Sequence, residues 1–128
     1  LPDYCGRCRR CMDACPTDAI PERGVVDANK CISYWTIESK AEEFPKEIVE
    51  NLNSWLFGCD ICQDVCPWNL KFEQVTTESA FQPRVWNQNV TTKEILSLDE
   101  DAFKERYQGS PIKRTKLSGL QRNAKALI

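Results

Sequence analysis

The sequence predicts a mostly α-helical domain with few short strands, in which metal ligation rather than a large apolar core organises the chain. Three observations lead there. Eight cysteines fall within the first 66 of 128 residues. Apolar residues recur at helical spacing in several segments, while runs of alternating apolar residues are scarce. The chain holds no His at all, which removes Ser-His-Asp and Cys-His catalysis and every imidazole-bound zinc site. At 28% charged residues and a net charge of −2, the composition is that of a globular domain. No run approaches the ~18 apolar residues of a membrane span, and no charged-then-apolar signal segment opens the chain.

The cysteines carry the most information. Cys5, Cys8, Cys11 and Cys15 read C-x2-C-x2-C-x3-C-P and end at Pro16. Cys59, Cys62 and Cys66 read C-x2-C-x3-C-P and end at Pro67. Cys8 to Cys59, Cys11 to Cys62 and Cys15 to Cys66 are each a step of 51 residues, and the same step from Cys5 lands on Leu56. The full motif is that of bacterial two-cluster [4Fe–4S] proteins, in which the Cys before Pro ligates the other cluster. Cluster 1 then takes Cys5, Cys8, Cys11 and Cys66. Cluster 2 takes Cys15, Cys59 and Cys62, and Cys31 supplies the thiol that the repeat lacks. A secreted disulfide framework or two four-thiolate zinc sites would also use eight Cys. The disulfide framework does not account for the C-P endings, and the three-in-a-row spacing fits a cubane better than zinc. Ligated thiolates fit a reducing compartment, so the expected location is cytoplasmic.

The elements follow in order. Arg9–Ala14 forms a short helix between ligands. Pro21–Gly24 turns, and Val25-Val26 makes a short strand. Ile32 to about Lys40 is helical despite Trp35, Thr36 and Ile37, which are weak formers. Pro45 starts a helix whose face carries Ile48, Val49, Leu52, Trp55 and Leu56, and Gly58 ends it. Residues 70–91 are polar and irregular. Thr92 caps a helix through Leu98. Ser97 and Glu100 have capping-box spacing for a helix carrying Phe103 and Tyr107, which Gly109 and Pro111 stop. A last helix covers Leu117–Leu127. This makes a bacterial ferredoxin-like two-[4Fe–4S] domain over 1–69, with a helical basic C-terminal extension over 70–128 packed on it as one compact unit.

Charge is uneven. Residues 103–128 hold seven basic residues and one acid, net +6, whereas the rest hold ten basic and eighteen acidic, net −8. The tail is either a solvated amphipathic end or a surface for an anion such as RNA. A cluster pair moves single electrons, so the chain is expected to serve an external electron donor and a reaction centre elsewhere.

Cys5-Gly6-x-Cys8 through Ala14-Cys15-Pro16-Thr17, then Cys31-Ile32-Ser33-Tyr34-Trp35-Thr36-Ile37-Glu38, then Gly58-Cys59-Asp60-Ile61-Cys62-Gln63-Asp64-Val65-Cys66-Pro67-Trp68-Asn69 resemble the epoxyqueuosine reductases, as does the ending Arg122-Asn123-Ala124. The resemblance implies reduction of epoxyqueuosine to queuosine in tRNA, with a cobalamin housed mainly in an N-terminal domain and fed by the two clusters. That domain lies outside this chain, which is therefore expected to hold no catalytic residue and to be inactive alone. The resemblance implies cobalamin-facing roles for Ser33, Gly58 and Asp60, against a local turn-forming role. Lys40, Lys113, Arg114 and Lys116 are candidate tRNA contacts. Trp68 and Asn69 are expected to pack and cap around cluster 1, and Trp55 to be core. The protein is expected to be a monomer with no membrane partner. A docking ferredoxin and a fragment of a cobalamin-dependent reductive dehalogenase are the competing readings. The basic tail, the CISYWTIE string and the 62 residues beyond Cys66 favour the reductase.

Overall fold

In the computed structural model, which describes residues 4–128, the domain is built from short helices joined by turns. They are α1 (Arg10–Ala14), α2 (Ile32–Ile37), α3 (Lys46–Asn51), α4 (Ile61–Asp64), α5 (Pro67–Phe72), α6 (Thr92–Ser97), α7 (Glu100–Arg106) and α8 (Lys116–Ala126). Among the described residues the extended structure reduces to one antiparallel bridge, Glu22 to Val25, so the expected Val25-Val26 strand is not formed. Both valines are exposed and lack a partner strand to bury them.

Several boundaries differ from the sequence expectation for identifiable reasons. The helix after Pro45 stops at Asn51, not Gly58. Asn53 enters the left-handed region at φ 51°, which ends the helical run. Trp55 and Leu56 leave the helix yet still pack against the core. Thr91, not Thr92, caps α6. Its hydroxyl accepts from the Glu94 N–H at 3.2 Å while the Glu94 carboxylate accepts from the Thr91 N–H at 2.9 Å. Ser97 does not cap α7. It donates to the Glu94 carbonyl, and Asp99 takes the cap by accepting from the Ala102 N–H at 2.8 Å. The polar stretch after Pro67 begins with the unforeseen α5, whose first turn accommodates Pro67.

Two small apolar clusters hold these pieces. One joins Ile95, Phe103, Tyr107, Leu117, Leu120 and Ala124, uniting α6, α7 and α8. The other joins Ile32, Ile48 and Leu52, with Trp35, Phe44 and Trp55 packed on it. Helix α8 touches both, because Ala126 and Leu127 reach the second cluster.

A polar joint supplements the apolar contact. Asn123 is fully buried, and its Nδ2 donates to the carbonyls of Thr36 at 2.7 Å and Leu56 at 2.9 Å. Arg122 donates to the carbonyls of Trp35, Ser39 and Ala41 and stacks over Phe44 at 4.6 Å. Thr115 donates to the Thr36 carbonyl at 3.2 Å. Gly119 permits this approach, since a Cβ there would lie 2.5 Å from the Thr115 hydroxyl oxygen.

The caps make a direct comparison possible. Thr91→Ala and Asp99→Ala should each lower stability by about 1 kcal/mol in urea unfolding. Ser97→Ala should change it by less than about 0.5 kcal/mol. Hydrogen bonds from Thr91 hold the Glu94 carboxyl below its ordinary pKa. The support it gives is therefore present above the unfolded carboxylate pKa and lost as pH falls through the lower folded value. Glu94→Gln should remove that part of the acid dependence.

Candidate iron–sulfur site

Three ligand candidates, Cys15, Cys31 and Cys66, stand in extended backbone at the end of a short helix, whereas Cys11 lies within α1 and Cys62 within α4. Cys31 precedes α2 and Cys66 precedes α5, with φ −75° and −70°. Cys15 ends α1 in extended backbone, at φ −68° and ψ 116°. Gly6 and Gly58 take φ 52° and 80°, turns that an L side chain rarely adopts, beside Cys5 and Cys59.

All eight cysteines are thiols rather than disulfides; Cys5 is exposed and the other seven are half-buried. Cys59 and Cys62 sit close to Cys15 and Cys31. Burial is the largest cause that raises the Cys59 pKa, opposed by the Ile61 backbone donor and reinforced by negative charge on Cys62, Cys31 and Cys15. Burial also raises the Cys62 pKa, the Gln63 side chain lowers it, and charge on Cys31 and Cys15 raises it further. The four residues expected for cluster 2 are therefore electrostatic neighbours, although they come from three separate segments.

Donors are aimed at the sulfurs. The Ala19 N–H donates to Cys15 Sγ at 3.2 Å, and Gln63 Nε2 lies 3.8 Å from Cys62 Sγ. The buried Thr17 hydroxyl lies 3.7 Å from Cys15 Sγ and donates to the Lys30 carbonyl at 2.6 Å. That bond ties the Cys15 loop to the residue preceding Cys31. Thr17 closes the first motif in the sequence without an assigned role, although a hydroxyl two residues beyond a ligand is a usable signal.

The donor set fits iron–sulfur clusters. Among the described residues no group of three or more His, Cys, Asp or Glu is gathered as one metal ion requires. A tetrahedral zinc holds each sulfur at about 2.3 Å from the metal. A four-iron cubane carries one thiolate per corner and spreads its ligands more widely. Uncompensated thiolates repel one another, and bound iron removes that cost.

The other candidates divide between two places. Ser33 and Gly58 meet at Thr36, whose Oγ1 lies 3.3 Å from the Ser33 carbonyl and accepts from the Gly58 N–H at 3.0 Å. Asp60 is exposed and lines a different groove, of about 440 Å³, with Asp64, Trp68 and Glu73. Trp68 donates to the Tyr4 carbonyl at 3.1 Å, meets the Tyr4 ring edge-on and stacks on Phe72. Asn69 donates to the Gln63 carbonyl at 3.0 Å, bracing α5 against α4. Lys40, Arg114 and Lys116 line one open groove of about 1000 Å³ beside α8, whereas Lys113 is exposed outside it. Arg114 is paired there with Glu38 at 2.8 Å.

Comparison with known proteins agrees with this chemistry. The 4Fe-4S double cluster binding domain family matches residues 4–69. The chain is 47% identical over 123 residues to the epoxyqueuosine reductase of Atelocyanobacterium thalassa (isolate ALOHA), covering 96% of this chain and 40% of that protein. It is 49% identical over 123 residues to that of Cellulophaga algicola, with 96% and 40% covered. The solved epoxyqueuosine reductase from Bacillus subtilis superposes with a TM-score of 0.89 at 32% identity, covering 99% of this chain and 33% of that one. A solved epoxyqueuosine reductase with a tRNA-Tyr epoxyqueuosine-modified stem loop gives the same TM-score, identity and coverage. The chain thus spans about two fifths of the length of the curated relatives it matches.

Anaerobic analysis should find about eight iron and eight acid-labile sulfide per chain. Four or fewer iron, or stoichiometric zinc, would remove the two-cluster assignment.

Proposed function

The chain belongs to the 4Fe-4S double cluster binding domain family, and from that premise we propose that it is the electron-delivering iron–sulfur part of an epoxyqueuosine reductase. The observation that carries the proposal is the match to reductases over almost the whole chain, including the helical region beyond the cluster motifs, at a TM-score of 0.89. A free-standing ferredoxin would not need that region.

In this reading, residues 1–69 form the cluster-bearing part and 70–128 the helical extension, with residues 1–3 outside the described structure. Cys5, Cys8, Cys11 and Cys66 hold one cluster. Cys15, Cys31, Cys59 and Cys62 hold the other, a set supported by their electrostatic proximity. Crossing Cys15 and Cys66 between the loops keeps the two centres close, which suits relay. Bound clusters would supply single electrons, and a cobalamin held mainly by a further domain would reduce the epoxide. Ser33, Gly58 and Asp60 are the residues of this chain proposed to face the corrinoid. The Thr36 hydroxyl steadies Gly58 by accepting from its amide, and it lies 3.3 Å from the Ser33 carbonyl. Ala19 and Gln63 direct hydrogen bonds at ligand sulfurs, which stabilises negative charge there and favours the reduced state.

The partner proposed for the basic side is tRNA, as in the relative solved with a modified stem loop. Lys40, Arg114 and Lys116 would meet phosphates from the groove beside α8, and Lys113 from its flank. An external electron donor completes the scheme, and the full protein is proposed to act as a monomer. Among the described residues no helix is long and apolar enough to cross a membrane. The eight thiols favour a reducing, cytoplasmic setting.

The full-length protein should convert epoxyqueuosine-tRNA to queuosine-tRNA, and no conversion with both clusters loaded and reduced would reject the reading. Replacing Lys113 and Lys116 with Gln should weaken tRNA binding and reduce the slope of log K against log salt by about 1–2. An unchanged slope would remove these residues from the interface.

A further inference from the structure

We propose that the buried pair Thr36 and Asn123 is a positioning device for one cluster, holding the segments that bear Cys31 and Cys59 in register from the C-terminal helix. The inference rests on the assignment of Cys31 and Cys59 to the same cluster.

Thr36 and Asn123 are both 0% exposed. Thr36 lies on α2, the helix that Cys31 initiates. Its hydroxyl has one proton, directed to the Ile32 carbonyl at 2.8 Å. The oxygen is left to accept, and it takes the Gly58 N–H at 3.0 Å, from the residue immediately before Cys59. This single side chain therefore ties the helix behind Cys31 to the turn ahead of Cys59.

Asn123 acts on the same two segments from α8. One amide hydrogen goes to the Thr36 carbonyl, the other to the Leu56 carbonyl. Its oxygen accepts from Arg122 Nε at 3.2 Å and Nη2 at 2.9 Å. The amide is fully used, so its orientation is fixed. Leu56 stands where the 51-residue repeat would place a ligand, and its carbonyl now anchors the chain to α8. An apolar side chain of similar volume could fill the space at position 123. It could not donate to two converging carbonyls from different segments as this amide does, which points to a geometric task beyond filling volume.

Neither side chain hydrogen-bonds, among the described residues, to the loop carrying Cys5, Cys8 and Cys11. The effect of losing the device should therefore fall on one cluster and spare the other. A merely structural role would disturb both through general loosening.

The test uses the cluster-loaded full-length protein in an EPR-monitored redox titration, with iron release to a chelator followed in parallel. Thr36→Val should shift the reduction equilibrium of one cluster by about tenfold, the scale of one hydrogen bond and about 59 mV for one electron. It should speed iron loss from that cluster alone. Thr36→Ser, which keeps the hydroxyl, should restore both values. Asn123→Leu carries the same expectation and serves if Thr36→Val does not fold. Asp99→Ala, which loosens the distant α7 cap, should leave both potentials in place. The proposal is overturned if both clusters shift together, or if neither does. Cys31→Ser separates the two levels of inference. It should alter the signal that Thr36→Val alters. If it leaves both four-iron signals intact, the ligand assignment itself fails. If it alters one signal while Thr36→Val alters the other, the assignment stands and the positioning role is lost.

Discussion

The placement of eight thiols within a 4Fe-4S double cluster binding domain is the constraint on which the structure depends. Thiolates brought together repel one another and resist burial, and bound iron offsets both costs. The chain supplies little else of comparable reach. Its larger apolar cluster has six buried residues and its smaller one three. Neither includes the loop of Cys5, Cys8 and Cys11. Short helices of four to six residues, such as α2 and α4, are below the length at which a helix persists alone. Cys31 stands at the N-terminus of α2 and Cys62 within α4, so a bound cluster would hold both helices.

The C-terminal helix solves a different problem, the joining of segments that share no apolar core. It reaches both clusters of apolar residues and adds a row of side-chain-to-carbonyl bonds along α2 and the 39–41 segment. Carbonyls near the ends of short helices lack intrahelical partners. Arg122 and Asn123 satisfy several of these at once. This explains why the region beyond the cysteines belongs with the cluster fold and is not an appended tail.

Legibility in the sequence varied with the range of the interaction. The cysteine spacing could be read because each loop is local, and the 51-residue shift exposed both the repeat and its gap. Helix α8 could be read from its apolar period. Boundaries failed by small steps where neighbouring residues compete. Thr91 outcompeted Thr92, and Asp99 outcompeted Ser97, because each cap depends on which residue leaves the helical region first. Helix α3 was read too long because Trp55 and Leu56 kept the helical spacing after Asn53 had already turned the chain. The Arg122-Asn123-Ala124 string was visible as a likeness, but its task was not. Its partners lie more than sixty positions away in sequence, and no local pattern encodes them.

Arg122 also alters how the charge of the tail should be counted. Its guanidinium is held by carbonyl oxygens, which are dipoles and carry no net charge, so the cation is satisfied without being neutralised. Burial lowers its pKa, yet a guanidinium remains protonated at any physiological pH. A surface ion pair such as Arg114 with Glu38 cancels at a distance, whereas a cation held by carbonyls does not. The groove beside α8 therefore contains a fixed monopole whose field persists over roughly the 8 Å screening length of physiological salt. It shares the groove with Lys40, Lys116 and Lys125 and with Glu42 and Glu43, and three backbone carbonyls hold it in place.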